Sequence, residues 1–304
     1  MMTVINELIE ALEAAHIRCR VVSVAHVNEL RERIEQSRRE KILPEPVDRT
    51  CFPGIEYEPE KQLPGAKSII IAAVPSPCIR NRFQWQGEMH TILIPPAYTG
   101  GGARVQNLKD RVEKILVPHG YKIANAPIPK KLLAVCSGLG EYGRNNICYV
   151  PGMGSFIQLV SLYSDMPCPE DFWREPVMMS SCGDCPACRQ NCPTGAIDGD
   201  RFAIASDRCL TFFNENSGSF PDWVNPSWFD CLVGCLRCQI ICPENAPYLN
   251  QIVEGESFTE EETALLLTTP APEQVSSETR AKLERLDLFY MEIIPRNLKA
   301  ALGQ

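Results

Sequence analysis

The run Ser181–Ile197, SCGDCPACRQNCPTGAI, constrains this chain more than any other stretch. Cys182, Cys185, Cys188 and Cys192 follow one another at gaps of two, two and three residues, with Pro193 directly behind. Two-residue gaps let a loop coil round one iron–sulfur cubane and present three thiolates, while the next cysteine leaves on a helical turn. A proline after it lacks an N–H and breaks the chain direction. In this bacterial ferredoxin spacing the fourth cysteine serves another cluster, so the pattern requires a second set. Cys235, Cys238 and Cys242, closed by Pro243, supply most of it. The remaining position has two claimants, Cys209 in DRCLTFF and Cys231, four residues before Cys235. The exchange rule gives one [4Fe–4S] cluster to Cys182, Cys185, Cys188 and Cys242. It gives the second to Cys192, Cys235, Cys238 and either Cys209 or Cys231.

Fifteen cysteines are too many for an ordinary intracellular enzyme, and their odd total and C-x-x-C spacing argue against a disulfide scaffold. Nine fall between Cys182 and Cys242. Cys19, Cys51, Cys78, Cys136, Cys148 and Cys168 are expected mostly to be small buried hydrophobes. Tetrahedral zinc uses similar pairs, but two runs each ending in Cys-Pro favour clusters. Phe212, Phe213, Phe220, Trp223, Trp228 and Phe229 lie between the motifs and read as the core of a small insert. They are also placed to keep water from the sulfurs.

The first helical face is Ile5, Leu8, Ile9 and Leu12, and Val27, Leu30 and Ile34 suggest a second helix. AKSIIIAAV (66–74) reads as a buried strand, HTILIPP (90–96) as another, and VQNLKDRVEKIL (105–116) as a helix. Residues 121–165 read as loops around short elements, and 258–304 as a mostly helical tail interrupted at TTPAPE. The expectation is an α+β domain over 1–170, a ferredoxin-like 2[4Fe–4S] module over 171–250, and a helical tail over 251–304 that packs back. No apolar run reaches membrane-spanning length, and MMTVINELIEALEAAH is an amphipathic helix rather than a secretory signal, so a cytoplasmic protein without membrane partners is expected. A net charge of −8 argues against a large nucleic-acid footprint. GLGEYG (138–143) matches a dinucleotide fingerprint, but PKKLLAVCS before it looks helical and Pro151, Gly152 and Gly154 stop any long helix after it.

The ordered series GLGEYGRNN (138–146), GMGSF (152–156), the two cysteine runs, DRC (207–209) and IIPRNLKAAL (293–302) resembles epoxyqueuosine reductase and the catalytic core of the reductive dehalogenases. The resemblance covers most of residues 65–302. It implies a nitroreductase-like domain holding a base-off cobalamin, to which the two clusters pass single electrons. His16, His26, His90 and His119 are the only histidines and none stands in an Asp-x-His-x-x-Gly motif, which agrees with a base-off corrinoid. By position, Gly138, Gly140, Gly143, Arg144, Asn146 and Ser155 would line the corrin, and Cys209, which follows an arginine, would complete the second cluster. The bland alternative for the glycines is a turn-rich loop.

Epoxyqueuosine reductase also places an acidic proton donor three residues before a proline ahead of the glycine block. Here that proline is Pro127 and the position holds Ala124, followed by Asn125. Alanine cannot protonate an epoxide oxygen. Tyr98, Tyr142 and Tyr163 are candidate substitutes, with Arg144 as the cation that would ease a phenol's ionisation. The first expectation is therefore a cobalamin-dependent iron–sulfur reductase with an unknown small substrate, fed by a low-potential donor such as flavodoxin or ferredoxin, with tRNA disfavoured. The alternatives are an electron carrier that reduces a corrinoid or flavin on a partner protein, and an epoxyqueuosine reductase with a displaced proton donor.

Overall fold

The computed structural model describes residues 3–198, 203–288 and 292–303; the Cys51 side chain lies outside the described set. Its strands are β1 (Arg18–Ser23), β2 (Ser68–Pro75), β3 (Cys78–Trp85), β4 (Glu88–Ile94), β5 (Ile123–Asn125), β6 (Glu141–Tyr142), β7 (Cys148–Tyr149), β8 (Ile157–Ser164) and β9 (Ile252–Phe258). Its helices are α1 (Val4–Glu13), α2 (His26–Arg39), α3 (Glu45–Cys51), α4 (Pro59–Gln62), α5 (Gly101–Leu116) and α6 (Lys130–Cys136). They continue with α7 (Ala187–Gln190), α8 (Leu210–Glu215), α9 (Arg237–Ile240), α10 (Glu260–Leu266), α11 (Ser277–Arg285) and α12 (Ile294–Ala301).

Contacts divide the chain into two units that interleave along the sequence, one of 1–75, 102–185 and 199–206, the other of 76–101, 186–198 and 207–304. The β3–β4 hairpin leaves the first unit's sequence and pairs with β9 next to the helical tail, a long-range parallel pairing that no local pattern announces.

The first unit is built on an antiparallel sheet ordered β1-β2-β8-β5. β2 is the apolar run SIIIAAVP, and its period-two alternation splits it between two cores. Ile69, Ile71 and Ala73 join Val27 and Leu30 of α2 and Leu133 of α6, while Ile70, Ala72 and Val74 join Leu8 and Leu12 of α1 and Leu108, Val112 and Leu116 of α5. Helices thus cover both sheet faces. Ile69, Ile70 and Ile71 are each 0% exposed, and burying one such side chain is worth about 1.5–3 kcal/mol. α6 confirms the helical reading of PKKLLAVCS, so no strand precedes the glycine block. β1 and β8 are strands within stretches that look like helix and loop, because their neighbours supply the burial.

In the second unit, Gln86 and Gly87 take left-handed φ of 52° and 80° to close the β3–β4 hairpin. β9 adds to β3, and Phe83 stacks on Phe258 at 4.6 Å between ring centroids. α10, α11 and α12 close this core through Leu266, Leu283 and Leu298. Thr259 and Glu262 form a capping box at the start of α10. The second cysteine segment is stitched to the hairpin, since Leu93 N–H donates to Asp230 O (3.1 Å) and Leu232 N–H to Leu93 O (2.9 Å).

Candidate iron–sulfur centre

α7 and α9 are one-turn helices with a cysteine as second residue, Cys188 in α7 and Cys238 in α9, and each run closes in Cys-Pro a few residues later. Asn191 ties them together, its Nδ2 donating to Arg237 O at 2.7 Å. Arg237 in turn donates from Nε to Trp228 O at 2.8 Å. Cys209 is the N-cap of α8, and the N–H of Phe212 returns to its carbonyl at 3.0 Å.

These loops gather Cys192, Cys209, Cys235 and Cys238 within the second unit. Burial pushes the Cys238 thiol well above its ordinary range, and Cys235, Cys209, Cys188 and Cys192 add to that by charge repulsion. Burial pushes Cys235 up to about 12, with Cys209 again contributing. Cys209 is raised by burial and by Cys192, against opposing hydrogen bonds from Thr211 and Phe212. Thiols that oppose one another's ionisation would lose their protons together only with a cationic centre among them. Cys231 is fully buried, and its Sγ donates to Asp230 Oδ1 at 3.3 Å, with Cys78 and Cys235 also near. Both Cys209 and Cys231 act electrostatically on or with Cys235, and only Cys209 also acts on Cys238. Cys182 and Cys185 belong to the first unit and Cys188 and Cys242 to the second, so that set rests on its spacing. Among the described residues, no three or more His, Cys, Asp or Glu side chains converge closely enough for a single metal ion. A cubane, by contrast, spreads its thiolates over separate corners.

The glycine block is accounted for by the chain's own packing. Gly138 has φ of 73°, and a Cβ there would lie 2.6 Å from the Phe172 ring. A Cβ at Gly140 would meet Tyr149 O at 2.6 Å, and one at Gly143 would meet Asn145 Oδ1 at 2.5 Å. The space a side chain would take is filled by the β6–β7 hairpin and its neighbours, not by an open cradle. Asn146 adopts φ of 60°, which asparagine tolerates, and its carbonyl accepts from Lys131 Nζ at 3.1 Å. Ser155 is buried. These contacts account for the glycines by packing, and the corrin-lining role of Gly138, Gly140, Gly143, Arg144, Asn146 and Ser155 stays what the resemblance implies.

Arg144 braces the first cluster loop. Its backbone N–H donates to Cys182 Sγ at 3.4 Å, and its guanidinium donates to the carbonyls of Cys182 and Gly183, the latter at 2.8 Å. Tyr142 is a core residue on β6, held well above the ordinary phenol range by burial and then by Cys148 and Cys136. Tyr163 pairs directly with Ala124 across β5–β8, and its buried hydroxyl has no hydrogen-bond partner among the described residues. Tyr98 lies in the second unit, where its hydroxyl donates to Glu215.

Sequence reasoning did not assign Glu215, nor the work done by Arg296 and Asn297. Asn297 is fully buried and donates from Nδ2 to Asn214 O at 2.8 Å and to Leu232 O at 3.0 Å. Arg296 donates to the carbonyls of Phe213 (2.8 Å) and Gly218 and stacks 4.2 Å over the Phe220 ring. The Arg-Asn pair of the tail thereby clasps both α8, which begins at Cys209, and the segment leading to Cys235. The one available signal was an amide and a guanidinium on the apolar helix IPRNLKAA.

Residues 181–245 match the 4Fe-4S double cluster binding domain, the class of module that the two cysteine runs define. The relatives it resembles are epoxyqueuosine reductases, bearing out the likeness seen in the motif order. One from Pseudomonas aeruginosa is 31% identical over 188 residues, covering 60% of this chain and 48% of the relative. Another, from Escherichia coli, is 32% identical over 159 residues, covering 51% and 40%. The chain thus spans about half the length of the curated relatives it matches. The fold is also that of epoxyqueuosine reductases. The structure from Streptococcus thermophilus superposes with a TM-score of 0.68 at 19% identity, covering 98% of this chain and 80% of that one. An epoxyqueuosine reductase bound to an epoxyqueuosine-modified tRNA-Tyr stem loop gives the same TM-score at 21% identity and the same coverage. Among the described residues no helix is long and apolar enough to cross a membrane.

Proposed function

We propose that this chain is an iron–sulfur reductase of the epoxyqueuosine reductase kind, with a nitroreductase-like first domain. The observation that carries the reading is the match of residues 181–245 to a double-cluster domain, with Cys192, Cys209, Cys235 and Cys238 half-buried in one unit of a fold shared with those enzymes. Cys182, Cys185, Cys188 and Cys242 hold the other cluster by spacing. The relatives favour the epoxide of a modified tRNA over an unspecified small substrate, which reverses the order expected from the sequence.

Cobalamin, when bound, would supply a cobalt centre that accepts single electrons and delivers them to substrate. The chain's own residues act before that point. Phe213, Phe220, Trp228 and Phe229 pack in one cluster with Cys235, shielding that sulfur in part, and a low-potential donor protein reduces the pair. Arg144 fixes the Cys182 loop and places an N–H on the sulfur, which favours the more negative, reduced state of the cluster it ligates.

Ala124 favours a second reading, a reductase for a different substrate, because the residue facing Tyr163 carries no proton. Two measurements test these readings. Anaerobically purified protein from cells supplied with cobalamin should contain about eight irons and bound cobalt. Queuosine should fall, with epoxyqueuosine accumulating, in the tRNA of a deletion strain that has no second reductase. Bound cobalt with unaltered queuosine would leave the second reading; clusters without cobalt would leave an electron carrier.

A further inference from the structure

The loop after β4 is shaped around one side chain. Ala97 adopts a left-handed φ of 73°, a conformation costly for any residue with a Cβ, and its N–H is held by Ser76 Oγ at 2.7 Å. The next residue is Tyr98, whose N–H returns to Pro95 O at 3.4 Å. The strained turn delivers the tyrosine to a defined place. Its hydroxyl donates to the carboxylate of Glu215, the last residue of α8, and α8 begins at its N-cap Cys209. Its ring lies against Gly234, the residue before Cys235. A Cβ on Gly234 would come within 2.8 Å of the ring, and Gly234 itself has φ of 69°. Burial, Glu215 and the nearby thiols of Cys209 and Cys231 all hold the phenol in its protonated form, so it remains a donor.

We propose that Tyr98 is a positioning residue of the second cluster. Through Glu215 and Gly234 it fixes two chain segments at once, those bearing Cys209 and Cys235. The two ligands are separated by 25 intervening residues of loop, short helix and turn (210–234), so their mutual position needs a cross-brace. Helix α8 transmits the constraint, because it is only six residues long and runs from Cys209 to Glu215. Gly234 is glycine because no side chain fits beneath the ring. This inference rests on the double-cluster reading and extends it to a residue outside the cysteine motifs.

The test uses the full chain with reconstituted clusters, kept anaerobic, and follows iron release to a chelator alongside the midpoint potentials. Tyr98→Phe keeps the ring and loses the hydroxyl. It should retain eight irons but release four of them several-fold faster than wild type, with one midpoint potential shifted and the other unmoved. Glu215→Ala should reproduce that behaviour, whereas Glu215→Gln keeps an acceptor oxygen and should restore the wild-type profile. Tyr98→Ala should lose the second cluster and hold four irons. Release kinetics and potentials of Tyr98→Phe that match wild type overturn the proposal, as does an equal acceleration of all eight irons, which would mark a general loosening. A wild-type protein that cannot be loaded beyond four irons overturns the double-cluster reading itself.

Discussion

Replacing Asn297 by alanine removes the tail's hold on the cluster module, and the structure gives the size of the effect. The amide is fully buried and feeds two backbone carbonyls, Asn214 O at 2.8 Å and Leu232 O at 3.0 Å. A buried acceptor stripped of its donor costs about 1–3 kcal/mol, and both acceptors are backbone atoms that cannot swing away. Taking about 1 kcal/mol for each and a further ~1 kcal/mol for the truncated volume, the loss is about 3 kcal/mol. By contrast, Arg49 and Glu45 form an ion pair with side chains 76% and 74% exposed, worth at most about 0.5 kcal/mol. One interior amide therefore outweighs several surface ion pairs. The assay is urea unfolding of the apoprotein under reducing conditions, read by tryptophan fluorescence; with an m-value near 2 kcal/mol/M, the midpoint should fall by about 1.5 M. Asn297→Asp keeps the volume and the Oδ1 that accepts from Arg296, but sets its other oxygen against the two carbonyls, so it too should lower the midpoint. A shift below about 0.3 M in both variants would refute the reasoning, because it would mean that the two carbonyls find water without the amide.

Other variants separate scaffold from chemistry. Gly140→Ala drives a Cβ to 2.6 Å from Tyr149 O, so the melting temperature of apoprotein free of any cobalamin should fall, by about 1–3 kcal/mol of overpacking; an unchanged melt would return this glycine to a ligand-binding role. Cys209→Ser should leave about four irons and Cys231→Ser about eight, and the reverse outcome would exchange the two cysteines. Burial works to raise the Glu262 carboxyl, yet Lys282, the Thr259 N–H and the Thr279 hydroxyl hold it below its ordinary 4.5. A depressed folded pKa stabilises above the unfolded value and is lost as pH falls through the folded one. Apoprotein stability should thus decline below about pH 4.5, and Glu262→Gln should decline less steeply there; equal acid slopes would contradict this.

The cluster module was legible because its chemistry is local. Thiolate spacing and a following proline are set within a dozen residues, and each run forms a one-turn helix just ahead of its Cys-Pro. The helix at 105–116 and the strand at 66–74 were legible for the same reason, since periodicity is a property of contiguous sequence. β1 and β8 were not, because neither announces itself without the strand beside it; each becomes a strand by pairing with β2. The interleaving of the two units was equally hidden, since β3 meets β9 across more than 170 residues. In the glycine block the sequence left two explanations for one pattern, a flat ligand or close self-packing. The absent Cβ atoms of Gly138, Gly140 and Gly143 all point into protein, so close self-packing accounts for the glycines whether or not a ligand meets the other side of the loop.

Once the glycines and Arg144 are assigned to packing and to the Cys182 loop, position 124 carries most of the difference between the two substrate readings. Ala124 lies directly across from Tyr163, so a side chain at 124 shares a sheet face with a buried phenol that lacks a partner among the described residues. A carboxyl group introduced there would meet that phenol and would sit where the related enzymes' acid is expected. If the substrate is the tRNA epoxide and protonation limits turnover, Ala124→Asp should raise queuosine formation, because a positioned general acid contributes about 10²–10⁴-fold. The measurement is the queuosine content of tRNA when the deletion strain is complemented with wild type or variant, alongside a melting curve showing that the variant folds. A folded Ala124→Asp that makes no more queuosine than wild type would show that this alanine is not what limits the reaction. The absence of queuosine from both would point away from the epoxide altogether, to a substrate for which an apolar residue facing Tyr163 is the functional choice.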